Sequence, residues 1–140
     1  MSNLSKVIIL KISGTLILWC IPLILFPSRL LDAIEFPEQE SYMFVRMLGW
    51  AYLSLCVGYA FALKASLKGE RLMAPIWVGV VSNGGAFLYL LYYGISGSWT
   101  DWGYSVKVVA WISVLATAFI TIGLYLYGCL LYTSPSPRDS

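Results

Sequence analysis

The chain of 140 residues is 59% hydrophobic and 11% charged, with a net charge of +2 and a mean hydropathy of +0.78. That leaves too little polar surface to cover a water-soluble domain, so a bilayer is the solvent this composition suits. The few Lys and Arg residues sit at predicted helix ends and form no basic stripe, which argues against a nucleic-acid partner and makes membrane lipids the first expected one.

Apolar residues come in blocks of about 20, the run a helix needs to cross about 30 Å of hydrocarbon. A transmembrane barrel would instead alternate over segments of about 10 residues, and residues 108–120 show no such alternation. The first predicted span covers 7–26. It is long, contains Lys11 and lacks a small-residue cleavage site before Pro27, so it reads as a retained helix and not a secretory signal. Pro22 should remove one backbone hydrogen bond and kink it. Lys11 is expected to snorkel to the nearer interface, as is Lys107 in the last span. The loop after span one carries Asp32, Glu35, Glu38 and Glu40 against Arg29. Leu30, Leu31, Ile34 and Phe36 give it an apolar side, which predicts a short interfacial helix ended by Pro37.

The second span covers 42–63, and Arg46 lies about one turn inside it. Its guanidinium either snorkels to the interface or forms an anion or headgroup site with Glu40, Asp101 or an acidic ligand. Counting inward from the two helix ends puts Cys20 and Cys56 at depths about 10 Å apart. A disulfide is therefore not expected, and both read as small apolar packers. The third span, 73–95, has Pro75 in its first turn, where a missing N–H is harmless. Gly79, Ser82, Asn83 and Ala86 share one face of it. The fourth, 105–128, places Ala110, Ser113, Thr117 and Thr121 on a small-residue helix-packing face. The sharper reading of these faces is a candidate polar pocket of Ser82, Asn83, Arg46, Tyr52 and Tyr59, with Gly84 and Gly85 exposing backbone to a ligand.

Together the spans predict an all-α, four-helix transmembrane bundle running up-down-up-down. Lys6, Lys11, Lys64, Lys68 and Arg71 place both termini in the cytoplasm by the positive-inside rule, with a bacterial inner membrane as the expected location. Trp99, Trp102 and Tyr104 on the outer side and Tyr125 and Tyr127 on the inner are expected as interfacial belts. The sequence has no His, and every Asp and Glu lies outside the spans. That argues against proton-coupled transport, which needs an ionisable group in the pathway. No catalytic residue, metal site or cofactor is expected from such a set. Residues 129–139 resemble a translated sequencing-library adaptor, so 1–128 is read as one domain and 129–140 as a non-native tail.

Residues 44–63 and 77–99, with Arg46, Leu48 and Gly49 as the most specific piece, resemble small bacterial four-helix membrane proteins of the DoxX-like kind. The resemblance implies an accessory subunit of a quinone-linked or thiol redox enzyme; no catalytic residue carries over, because a redox cysteine pair is lacking. The expected function is a non-catalytic accessory or scaffold subunit that associates with another membrane protein or with itself. The alternative is a small transporter or a lipid- or small-molecule-binding membrane protein.

Overall fold

The computed structural model describes residues 1–131; residues 132–140, which make up most of the adaptor-like segment, lie outside the described residues. The helices are α1 (Asn3–Leu25), α2 (Ser28–Ala33), α3 (Met43–Leu67), α4 (Met73–Ile95) and α5 (Tyr104–Leu130). All but α2 are long and apolar enough to cross a bilayer, so the chain is an all-α, multi-pass membrane protein whose long helices form a bundle. Their ends differ from the expected spans by at most four residues. The extra turns at the starts and ends carry residues such as Lys6 and Lys64, which an interface accommodates.

Ser2 caps α1 by accepting from the Ser5 N–H at 3.1 Å, and Ser5 and Ser66 hydroxyls meet at 2.8 Å, fastening the start of α1 to the end of α3. Pro22 cannot donate to the Leu18 carbonyl, and just ahead of it α1 widens into a π-helical turn over Leu16–Cys20. The far end of α1 is held by Arg46, whose guanidinium donates to the Leu23 carbonyl at 2.7 Å and to the Phe26 carbonyl. These are carbonyls that a helix C-terminus leaves without partners, and a cation also suits the negative end of the helix dipole. Gly49, three residues on and on the same face, lets the α1 backbone come close: a Cβ there would sit 2.6 Å from Ile24 Cγ1 and 3.3 Å from Ile24 N. Arg71 does the equivalent at the end of α5, donating to the Gly128 carbonyl at 2.9 Å.

Cys20 and Cys56 are nevertheless neighbours, both buried and unbridged. This corrects the depth gap expected between them, which assumed that both helices end at one level.

Helix α2 lies across the end of the bundle with Leu31 fully buried. It stops before Pro37, in a Schellman turn: Phe36 N–H donates to Leu31 O at 2.9 Å and Glu35 N–H to Asp32 O at 3.0 Å, with Glu35 at φ 53°. Glu35 O then accepts from Gly103 N–H at 3.0 Å, tying α2 to the start of α5. A Cβ on Gly103 would lie 2.6 Å from Glu35 Cβ and collide with the Ile34 carbonyl. Gly103→Ala should therefore lower the thermal unfolding midpoint by several degrees, the equivalent of about 1–3 kcal/mol of overpacking, as read by a melt in detergent. Nearby, Tyr42 donates to Asp32 at 2.8 Å, a bond that raises the phenol's pKa above its ordinary value.

The tightest packing lies within two pairs, α1 with α3 and α4 with α5; α3 and α4 touch much less. Two apolar clusters close the ends of the bundle. One joins Leu4, Ile8, Tyr59, Ile76, Ile120 and Leu124. The other joins Trp99, Ala110 and Val114. Trp99 is thus a core residue, 4% exposed and edge-on to Trp111 at 5.0 Å. Between the clusters the bundle is hollow.

Candidate functional site

The hollow is a cavity of about 400 Å³ bounded by all four long helices. Its floor follows from the register of α1. Leu4, Ile8, Lys11 and Thr15 recur at spacings of four, three and four, the stripe that one helix face buries. Lys11 therefore faces inward. It is 7% exposed, and its Nζ stands 5.6 Å from the centroid of the Tyr59 ring, over its face. Tyr59 is held in turn by its hydroxyl, 3.1 Å from Ser82 Oγ, and by the core cluster around it.

The expectation that Lys11 snorkels is overturned. Lys11 lies about 12 Å along the helix from Asn3 at 1.5 Å per residue, and it belongs to the buried stripe of the helix, not to its outer face. Among the described residues its ammonium has no hydrogen-bond acceptor, and no span contains a carboxylate to pair with it. A lysine at the centre of a membrane helix costs about 2.5–3.5 kcal/mol. A cation–π contact of about 0.5–2 kcal/mol offsets only part of that.

The remaining polar groups come from the opposite pair. Asn83 is 1% exposed and lines the cavity; its amide donates to Gly79 O at 2.7 Å, and its amide oxygen accepts no hydrogen bond from the described residues. Ser113 returns its hydroxyl to Val109 O at 2.7 Å and accepts from Trp19 Nε1 at 3.1 Å. Thr117 donates to Ser113 O at 2.7 Å. Trp19 belongs to the π-helical turn, a feature that recurs at functional sites, and packs on Tyr52 at 5.6 Å between centroids.

A second cavity of about 320 Å³ adjoins the first along Leu18 and Trp19. It runs beneath α2 and is mainly apolar, with Phe26, Leu31, Phe36 and Val109 among its walls and Ser105 as its one hydroxyl among the described residues.

Of the residues singled out in the sequence, Ser82, Asn83 and Tyr52 line the first cavity and Tyr59 supports it from below. Arg46 does not reach it; its guanidinium is engaged by carbonyls of α1's end. Gly84 and Gly85 do not line it either. Gly84 lies against Thr121, and nothing stands within 4 Å of a Cβ at Gly85. The small-residue face of α5 divides: Ala110 is core, Ser113 and Thr117 line the cavity, and Thr121 donates to Thr117 O at 2.7 Å. Lys11, Thr15 and Trp19 were not expected at the site. The stripe through Leu4, Ile8 and Thr15 is the signal that would have found Lys11; nothing comparable marks Trp19.

Among the described residues no group of three or more His, Cys, Asp or Glu side chains could hold a metal ion. No protein-family model, curated protein or solved structure matches the chain. No match supports the resemblance to DoxX-like proteins, and of Arg46, Leu48 and Gly49, on which it was drawn, Arg46 and Gly49 have a structural role at the α1–α3 contact.

Proposed function

We propose that this protein binds a lipid-soluble small molecule inside the membrane, in the cavity between its two helix pairs, and is not a catalyst. The observation that carries this reading is a hollow of about 400 Å³ at mid-bundle, within the roughly 300–1,000 Å³ of small-molecule sites, lined mainly by apolar side chains with a few converging polar groups. The bundle is well packed on both sides of it, so the hollow is local. An accessory or scaffold role was argued from small-residue faces free to meet a partner. In this chain Gly79, Ala110 and Ser113 are buried within the bundle, which weighs for the binding reading over that one. The positive-inside rule puts both termini and the turn holding Lys64, Lys68 and Arg71 in the cytoplasm, in a bacterial inner membrane.

Gly14 offers a direct test. It lines the cavity, and a Cβ added to it meets nothing within 4 Å, so a side chain can start from it without displacing the backbone and extend into the cavity. The full chain in dodecyl maltoside should bind radiolabelled decanol or decanoate saturably, and Gly14→Trp should weaken binding at least tenfold while melting no lower than the parent. Equal binding by parent and variant would refute the proposal.

A further inference from the structure

The geometry points to a more definite ligand: a single-chain amphiphile with one carboxylate, its head at Lys11 and its tail in the apolar cavity beneath α2. This rests on the binding reading above. The head is argued from what Lys11 lacks. Lys11, 7% exposed, lines a cavity with an aromatic ring on one side and no acid in any span. Intramembrane cations of this kind pair with something, and no Asp or Glu of the described residues lines the cavity, so the ligand supplies the anion. One negative charge matches, because among the described residues Lys11 is the one cation lining the cavity and Arg46 is committed to helix carbonyls. The Ser113 and Thr117 hydroxyls are donated to Val109 O and Ser113 O, which leaves the Ser82 hydroxyl, 3.1 Å from the Tyr59 hydroxyl, to turn toward the second carboxylate oxygen.

The tail is argued from the second cavity. It adjoins the first along Leu18 and Trp19, and its walls among the described residues are mainly apolar, with no charged side chain. A free inorganic anion would leave that apolar space unfilled, and a neutral lipid would leave Lys11 unpaired. A carboxylate on one alkyl chain satisfies both cavities.

The test compares decanoate, decanol and acetate on the full chain in dodecyl maltoside. Expected results are decanoate binding at least tenfold tighter than decanol, and no displacement of decanoate by a hundredfold excess of acetate. Lys11→Met should bring decanoate down to the level of decanol and leave decanol unchanged, while Lys11→Arg retains the preference. Parent protein alone decides the point if Lys11→Met fails to fold, since the decanoate–decanol comparison needs no variant. Equal affinity for decanoate and decanol, sensitive to Gly14→Trp, would overturn the anionic head and leave the binding reading standing. Displacement by acetate would overturn the amphiphile in favour of a small free anion. Absence of saturable binding by either chain probe overturns both.

Discussion

Arg46→Met is expected to lower the thermal midpoint strongly and to leave ligand affinity unchanged. The guanidinium satisfies two carbonyls at the end of α1, those of Leu23 and Phe26, where no intrahelical N–H reaches. Leaving a buried carbonyl without a donor costs about 1–3 kcal/mol each, and hydrocarbon offers no water as a substitute. The loss should be a large part of the chain's stability, visible as a melting midpoint many degrees lower in the same detergent. Arg46→Lys, with a single ammonium in place of a two-pronged guanidinium, should recover part of it. Decanoate affinity measured at a temperature where the variant remains folded should equal that of the parent. A headgroup site at Arg46 would give the opposite pattern, with affinity lost and the midpoint kept, so one pair of measurements separates the two roles.

The four long helices were legible because their cause is local. Blocks of about 20 apolar residues have one low-energy answer in a bilayer, and the third span, 73–95, needed no correction at either end. What depends on how helices slide against each other was not legible. Arg46 could be placed by depth, but whether it faces headgroups or the end of α1 depends on the stagger between α1 and α3. The same stagger decides whether Cys20 and Cys56 meet. Lys11 is a different case. Its depth was read and its azimuth was not, and azimuth decides whether a membrane lysine can reach the interface. Asn83 and Ser82 were found because polar residues on one face of an apolar helix stand out against their neighbours. Trp19 is common in membrane helices, and its place at the junction of two cavities comes from the π-helical turn ahead of Pro22.

Two valine substitutions in α4 should behave in opposite ways, although both replace a glycine in the same helix. At Gly79 a Cβ collides with Leu124 Cδ1 and comes 3.3 Å from Tyr59 Cε1, inside the most tightly closed part of the core. Gly79→Val must push either Leu124 or the Tyr59 ring aside, and overpacking of this kind costs about 1–3 kcal/mol. Displacing that ring also removes the face beneath Lys11, so decanoate affinity should fall together with the melting midpoint. At Gly85 nothing lies within 4 Å, and the position is exposed to the surroundings of the bundle. Gly85→Val adds apolar surface where lipid accepts it and replaces a poor helix former with a slightly better one, so midpoint and affinity should match the parent within error or rise a little. If Gly85→Val instead abolished binding while Gly79→Val did not, the ligand would be meeting the glycine backbone of α4 on its outer face, and the cavity over Tyr59 would not be its site.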